Sequence, residues 1–224
     1  MLDFDAILFD AGGIFVLPDP TVLGPLLEYY GGDPSIAAHR RAHYHAMAVK
    51  SRAGHLETDW DEYNVAYVTS IGVAERDVAP AAAMLGRTRT AHLWRWPIPE
   101  SVSALRRLHE AGMPVGVVSN ASGQIAEVLE RSGVCQVGDG PAVPVRVVID
   151  SHLVGIAKPD PRIFEPALEH FPGIERRRVA YVGDSVTMDV GGARAAGLVP
   201  ILLDPHDDHP GADFRTIREL AELL

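Results

Sequence analysis

The sequence predicts a doubly wound α/β fold carrying a helical insertion. Three observations carry this. From Pro99 onward, short apolar runs alternate with helical stretches, the pattern of a parallel sheet covered on both faces. A first apolar run at residues 6–9 is separated from the others by a long stretch with helical periodicity and no strand pattern. Several of the apolar runs end on a polar residue next to a turn.

Taken in order, residues 6–9 read as a buried strand that meets Asp10 and the turn Gly12-Gly13. Residues 21–30 read as a helix stopped by Gly31-Gly32. Asp33-Pro34 offers an N-cap and a first-turn proline for a helix to about residue 50. Thr58 precedes Trp60, Tyr63, Tyr67 and Ile71, which share one helical face that Gly72 ends. Pro80 opens a further helix toward Trp94. Next come a helix over 99–111 closed by Gly112, a strand over 114–118 ending at Ser119, and a helix over 122–132. A Gly/Pro-rich loop at 133–144 leads to a strand over 145–149 ending at Asp150. Asp160-Pro161 starts a helix to about residue 170, and a strand over 178–182 ends at Gly183-Asp184. A helix over 186–196, a strand over 199–203, an acidic surface loop at 204–213 and a terminal helix over 215–223 complete the reading. The expected division is a core of residues 1–17 and 95–224 with an insertion at 18–94, and 224 residues suffice for a core carrying an insert.

Composition narrows the partners. With 20 basic against 30 acidic side chains the formal net charge is −10, which argues against a nucleic-acid or anionic-membrane surface. A single cysteine, Cys135, excludes an intramolecular disulfide and a thiolate zinc cluster. It has no basic neighbour close by and reads as an inert thiol. No apolar run reaches the roughly eighteen residues that span a bilayer. The acidic start Met1-Leu2-Asp3-Phe4-Asp5 lacks a signal-peptide pattern, so a cytoplasmic protein, monomer or homodimer, is the expectation.

In open parallel sheets, ligands bind beyond the carboxyl ends of the strands where strand order reverses. Asp10, Ser119-Asn120 and Asp184-Ser185 each follow a predicted strand, Asp189 lies five residues further on, and Lys158-Pro159 sits in a loop after the third core strand. Carboxylates, a lysine and a hydroxyl at one edge suggest magnesium-assisted phosphoryl chemistry. Hard carboxylate oxygens suit Mg2+, which shares phosphate oxygens with the substrate. A carboxylate can be the covalent nucleophile, and lysine and metal neutralise charge on the transferring group. Each residue also has a plainer reading: Asp10 capping a turn, Ser119 capping a helix, Lys158 solvated, Asp189 complementing a helix dipole.

These residues in this order resemble the haloacid dehalogenase superfamily: Leu8-Phe9-Asp10-Ala11-Gly12-Gly13-Ile14, Val118-Ser119-Asn120, Lys158-Pro159-Asp160-Pro161, and Val182-Gly183-Asp184-Ser185 through Asp189. The helical insertion resembles the α-helical cap of one of its subgroups. The resemblance implies a Rossmann-like core and a hydrolase of a small phosphorylated metabolite, with Mg2+ as cofactor. By residue, it implies Asp10 as nucleophile, and Asp10, Asp184 and the Gly12 carbonyl on magnesium with Asp189 in support. It implies Ser119, Lys158 and amides near Gly12 and Asn120 on the phosphoryl group.

One position departs from the pattern. Phosphatases of this superfamily usually carry a second aspartate two residues after the nucleophile, as general acid and base; here Gly12 stands there. Such help is commonly worth ~10²–10⁴-fold. Haloacid dehalogenases and phosphonate hydrolases of the superfamily also lack that acid, and a weakly active or non-catalytic binding protein is a further alternative. In the insertion, His39, His43 and His45 with Arg40 and Arg41 invite a metal reading, since His39 and His43 share a face, but no third ligand stands out and the run reads as a solvated helix face. Arg40, Arg41, Lys50 and Arg52 are candidates to reach an anionic substrate, and Trp60, Tyr63 and Tyr67 read as the insertion's core.

Overall fold

The computed structural model describes residues 4–54 and 59–224. In chain order it contains β1 (Ala6–Phe9), β2 (Val16–Pro18), α1 (Pro20–Glu28), α2 (Ile36–Ala53), α3 (Asp61–Ser70), α4 (Glu75–Thr88), β3 (Trp94–Pro97) and α5 (Pro99–Glu110). There follow β4 (Val115–Ser119), α6 (Ile125–Arg131), β5 (Cys135–Val137), β6 (Val143–Val145), β7 (Val148–Asp150), α7 (Ser151–Val154) and α8 (Glu165–Leu168). The chain ends with β8 (Val179–Gly183), α9 (Gly191–Ala195), β9 (Val199–Leu203) and β10 (Arg215–Ile217).

Six strands form a parallel sheet in the order β10-β9-β8-β1-β4-β7. The order reverses at β1: the chain steps outward through β4 and β7 on one side, then through β8, β9 and β10 on the other. Two-residue alternation sorts the strands' side chains onto two faces. Ile7, Phe9, Val115, Val117, Ala180 and Val182 pack in one apolar cluster. Ala6, Leu8, Val118, Val179 and Tyr181 pack in the other. Burial on both faces explains why these strands read as unbroken apolar runs.

Helices α1–α4 have their own core, in which Leu27, Met47, Tyr63, Tyr67, Ile71 and Leu85 are buried together. The chain leaves for this segment and returns from it through the antiparallel pair β2–β3, with Val16 opposite Pro97 and Leu17 opposite Trp96. Several polar ties from the segment to the sheet side come from α2. Tyr44 Oη donates to the Gly13 carbonyl (2.7 Å), Val186 N donates to Ser51 Oγ (3.1 Å), and Arg52 donates to the Asp208 carbonyl (3.2 Å). Arg40 pairs with Glu100, and His45 lies 3.2 Å from Asp208.

Several expectations are corrected. Residues 215–223 are not a helix: Arg215–Ile217 pairs in parallel with β9, and Leu220–Leu223 forms a 3-10 turn. Three residues are too few to show a strand period, so the Leu/Glu-rich end dominates the pattern. Pro80 does not open a helix but lies inside α4, where its missing N–H forgoes one intrahelical bond near the helix start. The cap of α2 is Ser35, whose Oγ accepts from Ala38 N, while Asp33 accepts from Ser35 N. Residues 133–144 are not all loop, because β5 and β6 pair there and the sheet strand is β7. The loop at 204–213 is partly buried: Asp204 accepts from Asp208 N and His209 N. Met1–Asp3 and Thr58 lie outside the described residues. Among the described residues no helix is long and apolar enough to cross a membrane.

Candidate active site

The strand order puts Asp10, Ser119 and Asp184 at the carboxyl ends of β1, β4 and β8, three adjacent strands at the point of reversal. They line one cavity of about 210 Å³, together with Gly12, Asn120, Lys158 and Asp189. All seven residues singled out from sequence are therefore brought to one place.

Lys158 is the centre of the arrangement. Its Nζ lies 3.0 Å from Asp10 Oδ1 and 2.7 Å from Asp189 Oδ1, and it donates to Tyr181 Oη at 2.8 Å. Burial alone would lower its pKa, but the carboxylates of Asp10 and Asp189 outweigh that and hold it above the ordinary lysine value. The loop that carries it is fastened by Asn120: Lys158 N donates to Asn120 Oδ1 (2.8 Å), and Asn120 Nδ2 donates to the Lys158 carbonyl (3.1 Å). The Asn120 side chain thus fastens the loop that carries Lys158.

Asp10 Oδ1 accepts from Ala11 N at 2.7 Å. Burial pushes the Asp10 carboxyl up; Lys158 opposes this, the neighbouring Asp189 and Asp184 add to it, and the result is raised to about 7. Asp189 organises the turn after β8. Its Oδ2 accepts from Asp184 N (3.1 Å) and Ser185 N (2.9 Å). Gly183 leaves it room, since a β-carbon there would stand 2.1 Å from Asp189 Cγ.

Oxygens of Asp10, Asp184 and Asp189 lie within 4.8 Å of one another. Three hard carboxylate donors of this kind fit a magnesium ion. Both Asp189 oxygens are already engaged, by Lys158 and by the two amides, so its fit is that of a supporting group beside Asp10 and Asp184.

The histidine run is not a solvated face. His39 and His43 are buried, with Nδ1 of His39 2.8 Å from Tyr67 Oη and Nδ1 of His43 2.9 Å from Tyr63 Oη. The tyrosines share the insertion's core as expected, yet their hydroxyls need polar partners, and the histidines supply them. None of Arg40, Arg41, Lys50 and Arg52 is among the described residues lining the cavity; Lys50 is buried with Nζ 3.4 Å from the Trp60 ring centroid. Arg89, Trp60 and Trp94 line it instead. Arg89 stacks 3.8 Å from the Trp60 ring centroid. Tyr181, Arg89 and Trp94 were not singled out from sequence; a tyrosine within an otherwise apolar strand was the one signal available for Tyr181.

The haloacid dehalogenase-like hydrolase family model matches residues 4–197. The chain belongs to that family. It is 33% identical over 135 residues to the pyrimidine 5'-nucleotidase YjjG of Escherichia coli, covering 57% of this chain and 56% of that one. It is 36% identical over 139 residues to the phosphoserine phosphatase of Thermus thermophilus, covering 58% and 53%. In these matches the chain spans about half the length of either relative. A glyceraldehyde 3-phosphate phosphatase of Methanothermobacter thermautotrophicus is 27% identical over 231 residues, covering 99% of this chain and 95% of its own. Among solved structures, the fold matches a phosphatase of Thermococcus onnurineus (TM-score 0.58, 22% identity, covering 98% and 96%). It also matches the magnesium-bound hydrolase YfnB of Bacillus subtilis (TM-score 0.60, 20% identity, covering 98% and 96%).

Proposed function

We propose that this family member is a Mg2+-dependent phosphatase of small phosphorylated metabolites, with residues 18–94 as a cap over a core of residues 1–17 and 95–224. The observation that carries the reading is Asp10: a carboxylate at the end of the central strand, held by Lys158 and facing a cavity that Ser119 also lines. Relatives named as phosphatases and a nucleotidase support the substrate class. The antiparallel β2–β3 crossing at the two boundaries supports the division, and the three clustered carboxylates support the metal.

In this reading an Asp10 oxygen forms a bond to phosphorus while the ester P–O bond breaks, and the electron pair leaves with the alkoxide oxygen, which takes up a proton. Water then attacks the aspartyl-phosphate, releasing inorganic phosphate and restoring the carboxylate. Ser119 and Lys158 bind the phosphoryl oxygens, and Lys158 opposes their growing negative charge. Magnesium, held by Asp10, Asp184 and the Gly12 carbonyl with Asp189 in support, would neutralise charge on the same group. Gly12 brings no acid to the leaving oxygen, so esters with good leaving groups are the faster substrates.

The test is phosphate release from a panel of one aryl and several alkyl phosphates, with magnesium and with chelator, and Asp10→Asn as control. Magnesium-dependent release that disappears in the variant is expected. Release that survives Asp10→Asn would overturn the nucleophile, and release unchanged by chelator would overturn the metal. Halide release from a 2-haloacid in place of phosphate release would replace the phosphatase reading with a dehalogenase one.

A further inference from the structure

His43 joins the helical segment to the acidic edge of the sheet. Its imidazole is 1% exposed, with Nε2 2.9 Å from Asp184 Oδ2 and Nδ1 2.9 Å from Tyr63 Oη. An ionised carboxylate only accepts, so Nε2–H donates in that contact, and in the neutral imidazole Nδ1 then accepts from the Tyr63 hydroxyl. The Tyr63 phenol is buried, which raises its pKa and keeps its proton in place. Tyr44 and Trp94 pack edge-on against the ring, at centroid distances of 5.2 and 5.5 Å. Gly13 leaves the gap in which the two side chains meet: a β-carbon there would lie 2.0 Å from Asp184 Oδ2 and 2.9 Å from His43 Nε2.

Resting on the reading of Asp184 as a magnesium ligand, we propose that His43 is a positioning residue for that ligand. Its Nε2–H fixes one oxygen of Asp184 and leaves the other for the ion, while Tyr63 fixes the tautomer that makes this possible. Partners behind a ligating side chain set its orientation, and their loss typically costs 10–100-fold in metal affinity or activity. Within the Tyr63–His43–Asp184 series only Asp184 lines the cavity, and Tyr63 and His43 stand behind it. They therefore act through Asp184 and not on the substrate.

The test titrates magnesium alone into the full chain by calorimetry and follows the magnesium concentration for half-maximal phosphate release. His43→Leu is expected to weaken binding by about 10–100-fold and to raise the half-maximal concentration in parallel, with kcat at saturating magnesium changed less. His43→Gln, whose amide can donate from a similar place, is expected to recover most of the affinity. Unchanged binding in a folded His43→Leu would overturn the proposal, as would equal damage in both variants. Where His43→Leu does not fold, Tyr63→Phe carries the test: weakened binding supports the proposal and wild-type affinity overturns it. Nitrogen chemical shifts of His43 in the metal-free protein should show Nε2 protonated and Nδ1 bare, and the reverse would overturn it. A wild-type protein that binds no magnesium, or that stays active as Asp10→Asn, fails the underlying phosphatase reading, whereas intact wild-type binding with an indifferent His43→Leu fails only this one.

Discussion

The indole of Trp94 lies against Gly12, so that a side chain there would press on the ring. A β-carbon there would stand 3.0 Å from Trp94 Cζ3 and 3.2 Å from Cε3. Gly13 has a φ of +69°, whereas Gly12 is not among the glycines with positive φ, so its backbone alone would admit another residue. A side chain here would therefore meet the ring before it met any backbone strain, and the indole would have to give by a few tenths of an ångström.

Gly12→Asp by itself should therefore bring no gain on alkyl phosphates, because the carboxylate meets the ring. Combined with Trp94→Ala it should raise the ratio of alkyl to aryl turnover, toward the ~10²–10⁴-fold that a general acid commonly supplies. Turnover of matched alkyl and aryl phosphates by both variants checks this. A gain in Gly12→Asp alone would show that the indole yields.

Gly13→Ala should damage both stability and magnesium binding. The left-handed backbone costs a non-glycine residue about 1–3 kcal/mol. The added methyl would also drive apart Asp184 and His43. Denaturant unfolding and a magnesium titration measure the two effects, and a variant that matches the wild type in both would refute the account.

Asp10 predicts a pH dependence. Its carboxyl is raised from 3.8 to about 7, first by burial. Between these values the folded protein keeps a proton that the unfolded chain has released. The stability contributed by this group is therefore full below pH about 3.8 and is lost as pH rises through about 7. Asp10→Asn should remove that decline from the stability profile of the metal-free protein. Magnesium competes with the same proton, so its apparent affinity should climb with pH toward about 7 and then level. An affinity flat across that window would contradict the assignment.

Arg89 predicts selectivity. Among the described residues that line the cavity it is the cation beside Lys158, and Lys158 is already paired with two carboxylates. Arg89→Met should raise KM more for phosphate esters bearing a second anionic group than for neutral ones. Equal effects on both classes would assign the arginine to packing on Trp60.

Sequence and structure agree where local pattern sufficed. Apolar runs ending at Asp10, Ser119 and Asp184 marked strand ends, and the parallel order brought those ends together. The parts that escaped depend on distant partners. His39 and His43 sit among arginines and look solvated, yet each meets a tyrosine hydroxyl from another helix. Trp94 faces Gly12 only because β3 returns beside β2. Arg89 lies just beyond the end of α4, where no periodicity marks the cavity, and β10 is too short to show an alternation.

The ties along α2 bear on how this chain can be recombined. His43, Tyr44, His45, Ser51 and Arg52 all lie on that helix and bond to Asp184, Gly13, Asp208 and Val186. Grafting a relative's helices in place of α1–α4 would remove the whole row at once and strand its partners. A working chimaera would have to keep α2 with its own host, and α3 with it because Tyr63 and Tyr67 bond to His43 and His39, and exchange α1 and α4 around them. The module that can be traded among homologues is thus smaller than the segment that the chain order marks out.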